Sequence, residues 1–198
     1  MLQIGGIIHT YEIVRIFSTK VYCKRIEVTI VKHSLDTAID RFRLACQPYY
    51  NIRESESHEA PLLFACELYQ QSEAYMVSRK VNLWTANAEE FLYAYRVPRL
   101  TAELFTELKD KAYADGRGKA NIGPGHMCTY VTAVFFCEDC TEEAVKRLKK
   151  CSLHKTFLFS FHGWLDLRLA IYNEADGNII TNGAGEPTGD FIKKVLQL

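Results

Sequence analysis

The clearest metal-ligand spacing in the chain lies in the segment "CEDCTEEAVKRLKKCSLH". A Cys-x-x-Cys pair, Cys137 and Cys140, is followed after ten residues by a Cys-x-x-His pair, Cys151 and His154. Thiolate and imidazole ligands in two such pairs are typical of structural zinc sites. A cysteine pair between a strand and a helix also suits thiol redox chemistry, because the helix dipole stabilises a thiolate. A zinc or thiol protein is therefore one hypothesis for the function.

The ten residues between the two pairs predict a helix, which opposes the zinc hypothesis. Thr141 is a suitable N-cap, two glutamates follow it, and basic residues fill the last turn. Ten helical residues rise by about 15 Å, so Cys140 and Cys151 would lie too far apart to bind one ion. Two carboxylates between the first two thiols would raise their pKa values, which disfavours redox chemistry. We therefore expect no bound metal and no cofactor.

A second set of polar residues lies in "FSFHGWLDLRLAIY", residues 159–172. The alternation of a strand places leucine and isoleucine side chains on one face and Trp164, Asp166 and Arg168 on the other. An aromatic ring beside a carboxylate and a guanidinium can bind a small ligand or a protein partner. The alternative is that Asp166 and Arg168 form an ordinary ion pair on a solvated sheet face and have no functional role.

Two histidines could join this polar face and supply catalysis. His162 precedes Gly163, where a bulge or tight turn would aim the imidazole at the same side as Asp166. His126 ends a glycine-rich loop that leads into a neighbouring strand. Asp166 could orient a histidine as a general base while Arg168 binds an anionic group, as in a hydrolase or transferase. The sequence contains no recognisable order of nucleophile, base and orienting residue, so we favour binding over catalysis.

Composition limits the partners and the compartment. The 198 residues carry 24 basic and 24 acidic side chains, so no overall positive field favours nucleic acid. The chain has no run of 18 uncharged apolar residues that would predict a membrane span, and its start lacks the basic region of a signal peptide. The seven cysteines are odd in number and scattered through apolar patterns, which is typical of free thiols in a reducing cytosol. We therefore expect a cytoplasmic protein with neither nucleic acid nor a membrane as its partner.

The pattern of elements predicts an α+β fold with a mainly antiparallel sheet. The predicted order of elements is a helix, a β-meander, a second helix, one strand, a third helix, three strands and a last helix. Because the strands cluster instead of alternating with helices, we expect antiparallel pairing and one parallel βαβ crossover. The helices are predicted at residues 36–47, 102–114, 141–150 and 189–198, and Ser34, Thr101 and Thr141 are suitable N-caps for the first three. The meander strands are predicted in "LLFACELYQ", "AYMVSRKVNLW" and "EFLYAYRVP", after a polar loop at residues 51–61, and "KTFLFSF" is predicted as the first strand after the third helix.

Changes in composition suggest the domain boundaries. Residues 34–198 suit a single α+β domain, and the glycine-rich loop 115–126 is the place where it could divide into two subdomains. A β-rich extension, residues 1–33, carries five basic and two acidic side chains. That surplus predicts either a basic arm for an acidic partner or a peripheral hairpin without a role, and the hairpin is the simpler expectation.

The last part of the chain, "FSFHGWLDLRLAIYNEADGNIITN", resembles a pattern found in small uncharacterised bacterial proteins. The pattern consists of an aromatic strand, His-Gly-Trp, an Asp-x-Arg-Leu strand, a turn and Thr-Asn. The resemblance covers residues 36–198 and leaves the N-terminal strands outside it. It implies a cytosolic bacterial α+β domain of unknown function, and it assigns no catalytic residue.

Three hypotheses for the function follow, in order of preference. The first is a non-catalytic domain that binds a small ligand or a protein through Trp164, Asp166, Arg168 and His126, with association between copies of the chain left open. The second is a hydrolase or transferase that uses His162 with Asp166 and Arg168. The third is the thiol or zinc protein described first.

Overall fold

The computed structural model describes the backbone of residues 7–10, 26–29, 33–75 and 82–197, and the side chains of residues 33–71 and 87–197. Nine strands and four α-helices lie in these ranges. The strands are β1 (Ile7–Thr10), β2 (Ile26–Thr29), β3 (Asn51–Glu54), β4 (Leu62–Tyr75), β5 (Asn82–Leu100), β6 (His126–Cys140), β7 (His154–Thr156), β8 (Trp164–Asn173) and β9 (Asn178–Thr181). The helices are α1 (Leu35–Cys46), α2 (Ala102–Lys119), α3 (Glu142–Lys150) and α4 (Glu186–Leu196).

Seven of the described strands form one mixed sheet in the order β3–β4–β5–β6–β8–β7, with β9 also paired to β8. The two central pairings, β5–β6 and β6–β8, are parallel, and the others in this sheet are antiparallel. The prediction of an α+β fold is confirmed, whereas a mainly antiparallel sheet with one crossover is only partly right. Parallel neighbours need a crossover connection, and two exist here: α2 joins β5 to β6, and α3 with β7 joins β6 to β8. Strands β1 and β2 pair antiparallel in a separate two-stranded sheet.

Helices pack on both faces of the sheet and bury two apolar cores. On the front face, α2 and α3 cover the sheet, and Phe105 of α2 lies 5.6 Å from Phe135 of β6 between ring centroids. On the back face, α1 and α4 cover it, and Phe42 of α1 lies 5.5 Å from Phe136 of β6. Each fully buried ring contributes about 1.5–3 kcal/mol of transfer free energy. Consecutive residues of β6 thus stabilise opposite cores, as expected for a strand that is apolar on both faces.

Helix α2 extends to Lys119, well into the glycine-rich loop predicted at residues 115–126. Gly116 does not end the helix, because its backbone packs against Val131, where a Cβ atom would clash. Asp115 and Lys119, one turn apart, form an ion pair with an N···O distance of 2.9 Å. The prediction failed here because a glycine that permits close packing looks the same in sequence as one that ends a helix.

The predicted β-meander exists, but its strands differ in part from the predicted ones. Its strands are β3, β4 and β5, and β3 lies in a segment predicted to be a loop. The predicted middle strand, "AYMVSRKVNLW", lies partly outside the described residues, and its described ends belong to β4 and β5. Gln70 and Gln71, whose polarity suggests a turn, are exposed residues within β4. The strands are longer than their apolar runs indicate, because their distal parts have exposed polar positions.

Strands β7 and β9 leave a gap between them on the edge of β8, and the side chain of Asn182 fills part of it, beside backbone hydrogen bonds to Leu153 and Asn182. Its Oδ1 accepts hydrogen bonds from the backbone N–H groups of Leu169 and Gly185, both at 2.9 Å. Its Nδ2 donates to the carbonyl oxygens of Leu167 at 2.9 Å and Cys151 at 3.0 Å. The buried amide therefore uses both of its N–H groups and both lone pairs.

We expect Asn182→Ala to lower the free energy of unfolding by about 2–4 kcal/mol, because buried backbone groups of β8 lose their partners. Asn182→Asp should also destabilise the fold, since it keeps the shape but lacks both donors. Urea unfolding followed by circular dichroism measures the change. Asn178→Ala, at an exposed position of β9, is the control and should cost less than about 0.5 kcal/mol. Equal losses at the two positions would contradict the role given to Asn182.

Candidate functional site

Polar side chains cluster on the back face of the sheet, near the N-terminal parts of β6 and β8. They lie outside the apolar core under α1 and α4. Strand register brings them together: Glu90 is paired with Tyr130, Tyr130 with Asp166, and Asp166 with His154. We call this set the open face, and its members are Glu90, Tyr130, Thr132, His154, Trp164, Asp166 and Arg168.

Arg168 is held in place by an aromatic ring and a carboxylate. Its guanidinium carbon lies 3.4 Å from the centroid of the Tyr130 ring, which is a close cation–π contact. Its Nη1 lies 3.8 Å from Oε1 of Glu90. Glu90 also accepts hydrogen bonds from the hydroxyls of Thr132 at 2.6 Å and Tyr50 at 3.0 Å. Burial and the nearby Glu90 carboxylate raise the pKa of Tyr50, so this hydroxyl remains a donor.

Within the described part of the chain, the donors of Arg168 are largely unused. Only 18% of its side chain is exposed, yet its guanidinium donates no hydrogen bond to any acceptor in the described part of the chain. A guanidinium carries five N–H donors in a planar fork that matches a carboxylate. Arg168 therefore combines a fixed position with free donor capacity.

Asp166 orients a histidine, but the histidine is His154 and not His162. Nδ1–H of His154 donates to Oδ1 of Asp166 at 2.6 Å, across the β7–β8 pairing. The other ring nitrogen, Nε2, is available to solvent on an exposed side chain. The predicted pairing of His162 with Asp166 is therefore wrong, because the short hairpin strand β7 brings a different imidazole to this carboxylate.

His162 and His126 belong to a separate network. The carbonyl oxygen of His162 accepts a hydrogen bond of 2.7 Å from Nδ1–H of His126. The buried Nε2 of His126 lies 2.8 Å from Oγ1 of Thr129, which lies 3.3 Å from a carboxylate oxygen of the buried Glu89. Strand alternation directs Thr129 and Glu89 to the front face, away from Arg168. His126, predicted as a ligand-binding residue of the polar face, instead holds a turn.

The four cysteine and histidine residues of the zinc hypothesis are not brought together. Thr141 caps α3 as predicted, its Oγ1 accepting from the N–H of Ala144 at 3.2 Å. The nine residues of α3 separate Cys140 from Cys151, and His154 lies in β7 beside Asp166. No group of three or more histidine, cysteine or acidic residues that could hold a metal ion occurs among the residues that the structure describes.

The thiols of Cys137 and Cys140 affect each other's pKa. Interaction with the Cys140 thiol, together with burial, raises the pKa of Cys137, and interaction with the Cys137 thiol lowers the pKa of Cys140. The prediction that both pKa values are raised is therefore wrong for Cys140. The error arose because the sequence shows the charges between the two cysteines but not the interaction of one thiol with the other.

Several residues of the open face were not predicted from the sequence. Glu90, Tyr130 and Thr132 come from β5 and β6, and they meet Arg168 only through parallel pairing. A sequence signal did exist, since polar Thr132 and Tyr130 alternate with apolar residues at the start of an otherwise apolar strand. Without the strand order, that signal could not be connected to Asp166 and Arg168.

Comparison with known families gives a match over most of the chain. Residues 35–194 match the family model of DUF8052, a domain of unknown function. The chain belongs to the DUF8052 family. The match confirms the predicted resemblance to an uncharacterised family, and it spans the whole seven-stranded sheet and the open face. No curated protein and no solved structure matched the chain. Among the described residues of this DUF8052 member, no helix is long and apolar enough to cross a bilayer.

We expect Glu90→Ala to lower the free energy of unfolding by about 2–3 kcal/mol, because two hydroxyls lose their acceptor and Arg168 loses its counter-ion. The measurement is urea unfolding at neutral pH. Glu138→Ala, at an exposed position of β6, is the matched control and should change stability by less than about 0.5 kcal/mol. A loss at Glu90 no larger than that of the control would contradict the network.

We expect the purified protein to contain less than about 0.1 zinc per chain, since the two halves of the cysteine motif lie at opposite ends of α3. Treatment with a chelator should leave the melting temperature unchanged within about 1 °C. Elemental analysis and thermal unfolding of the same sample measure both. Stoichiometric zinc whose removal lowers the melting temperature would overturn this reading of the motif.

Proposed function

We propose that this chain is a non-catalytic binding domain whose open face binds a carboxylate-bearing ligand. The carboxylate comes either from a small organic acid or from acidic side chains of a protein partner, and both would use the same chemistry at Arg168. The observation that carries the proposal is the fixed guanidinium of Arg168 with its unused donors.

The surroundings of Arg168 prepare it for such a ligand. The Tyr130 ring fixes the plane of the guanidinium, and Glu90 restrains one edge, so little conformational entropy remains to be lost on binding. Glu90 is engaged by two hydroxyls as well, which reduces its competition for the remaining donors. A carboxylate can then form a bidentate, charge-assisted pair with Arg168.

Neighbouring residues add contacts on either side. Trp164 offers a half-buried ring at the end of the open face. Nε2 of His154 accepts a hydrogen bond when the imidazole is neutral and donates one when it is protonated. Four cavities with volumes of about 260 to 520 Å³ lie elsewhere on the described surface, away from Arg168. A polar face that lies outside these cavities is compatible with a protein segment as well as with a small acid.

The compartment and the exclusion of nucleic acid are part of the same proposal. Six described cysteines are free thiols, and four of them are buried, which supports a reducing, cytosolic location. The formal net charge of zero argues against nucleic acid as the partner. A second copy of the chain could supply the acidic side chains, in which case the ligand would be another protomer.

One observation favours a second candidate function, a hydrolase or transferase. The pair formed by His154 and Asp166 is the arrangement of a histidine general base with its orienting carboxylate. His154 thereby takes the place that the sequence prediction gave to His162. The nearest thiol on this face, Cys128, is buried, and burial raises its pKa, which makes it a poor nucleophile. We therefore rank catalysis below binding.

The test is a titration of the ¹⁵N-labelled protein with small mono-, di- and tricarboxylic acids and with an acidic peptide. We expect chemical-shift changes in β6 and β8 around Arg168. Arg168→Gln should weaken binding by roughly tenfold or more, and Arg168→Lys should recover only part of it, because an ammonium lacks the planar fork. Arg99→Gln, which removes an exposed arginine paired with Asp139, is the control.

The outcomes distinguish the sources of the carboxylate. Binding of a small acid indicates a metabolite-like ligand, whereas binding of the acidic peptide alone indicates a protein partner. Concentration-dependent self-association that Arg168→Gln abolishes indicates a second copy. Unchanged spectra with every probe, or equal affinities of the Arg168 and Arg99 variants, would refute the proposal. Turnover of an ester or amide that is lost in His154→Gln would favour the catalytic candidate instead.

A further inference from the structure

The turn between β7 and β8 exposes three large apolar side chains. Leu158 is 60% exposed, Phe159 is 93% exposed and Phe161 is 80% exposed. Single exposed apolar residues are normal on protein surfaces, but three within four positions form a contiguous patch. The sequence predicted a strand in this segment, "KTFLFSF", whereas β7 ends at Thr156.

The backbone of this turn is in an unusual conformation. Leu158, Phe159 and Ser160 have φ angles of 45°, 50° and 69°, so three consecutive residues other than glycine are left-handed. Left-handed backbone is unfavourable for residues with a Cβ atom and, in a run, is rare. A hydrogen bond of 3.1 Å from the N–H of His162 to the carbonyl of Phe157 closes the turn. Strain of this kind persists only where the surroundings fix it, and it is concentrated at functional sites.

The surroundings do fix the turn. His126 donates to the carbonyl of His162 at 2.7 Å, and the N–H of Phe157 donates to the carbonyl of Gly163 at 3.0 Å. Gly163 has a φ of 67° and packs against the carbonyl of Met127, where a Cβ atom would clash. The buried network of His126 therefore presents the apolar tip from a rigid base.

Two cations flank the base of the tip. The guanidinium carbon of Arg117 lies 4.8 Å from the centroid of the Phe157 ring, and Nζ of Lys155 lies 5.9 Å from it. Neither side chain lies within ion-pair distance of a carboxylate among the side chains that the structure describes. A protruding apolar tip thus lies beside two positive charges, and no described carboxylate neutralises either charge.

We propose that this turn binds the surface of an anionic lipid bilayer, with Phe159 and Phe161 inserted among the lipids and Arg117 and Lys155 at the phosphate groups. Aromatic side chains next to basic ones favour this interface, and a lipid surface needs no complementary pocket for a protruding tip. A second copy of the chain fits less well, because a symmetric contact would bring the cations of both tips together. The expectation of no membrane partner rested on the lack of a spanning segment and of a signal peptide, and a surface turn requires neither. The proposal is independent of the open face.

The test is cosedimentation of the full chain with vesicles of phosphatidylcholine and phosphatidylglycerol in a ratio of about 2:1, and with vesicles of phosphatidylcholine alone. We expect binding to the anionic vesicles and at least about tenfold weaker binding to the neutral ones. The double variant Phe159→Ser/Phe161→Ser should lose at least about tenfold in affinity for anionic vesicles. Arg117→Gln/Lys155→Gln should weaken the binding and reduce its dependence on salt.

The matched control is Leu44→Ser, which removes an apolar side chain that is 65% exposed on α1. It should bind like the unmodified chain. Circular dichroism of each variant checks that the fold is unchanged. Absence of binding to anionic vesicles, or equal binding by the double phenylalanine variant and the Leu44 control, would overturn the proposal. So would self-association of the chain that requires Phe159 and Phe161 and occurs without lipid.

Discussion

The parallel pairing of β6 with β5 on one side and β8 on the other fixes which side chains meet across the sheet. Because neighbouring residues of a strand point to opposite faces, a slip of one residue in either pairing would move Arg168 or Glu90 away from the open face. The register is stabilised by β6 itself, whose Phe135 and Phe136 are buried in different cores. Correct packing on both faces is thus the condition for the polar arrangement at the beginning of the strands.

Two adjacent glutamates of β5 illustrate how this alternation is used. Glu89 points to the front face, where it accepts hydrogen bonds from the backbone and side chain of Asn121 and joins the network of His126. Glu90 points to the back face and restrains Arg168. One carboxylate supports the base of the apolar turn and the other supports the open face. Both are largely shielded from solvent, and each is satisfied by hydrogen-bond donors, as buried acidic groups must be.

Sequence reasoning worked where the signal was local. The N-caps Ser34, Thr101 and Thr141 were all recognisable, and each accepts the expected hydrogen bond. The alternation of β8 correctly placed Asp166 and Arg168 on one face. Strand partners are not local, so the sequence could not show that His154 would reach Asp166.

Backbone conformation was the second limit on prediction. Apolar residues such as Phe159 carry no sequence signal for left-handed conformation, because that conformation is normally the property of glycine or asparagine. The composition of "KTFLFSF" predicted a strand, and this prediction gave a wrong expected position for His162. Only the neighbouring Gly163 hinted at a turn. Among the described residues, the left-handed run at Leu158, Phe159 and Ser160 thus coincides with the two most exposed large apolar side chains, Phe159 and Phe161.

The amide of Asn182 also affects the tendency of the protein to aggregate. An unpaired stretch in the edge of a sheet is a template on which a strand of another molecule can be added, and such additions begin ordered aggregation. Between β7 and β9 the backbone of β8 would offer such a stretch, in the middle of the apolar sequence "WLDLRLAIY". The side chain of Asn182 occupies the N–H of Leu169 and the carbonyl of Leu167, backbone groups of Leu153 and Asn182 occupy the other two, and the edge is unreceptive to foreign strands.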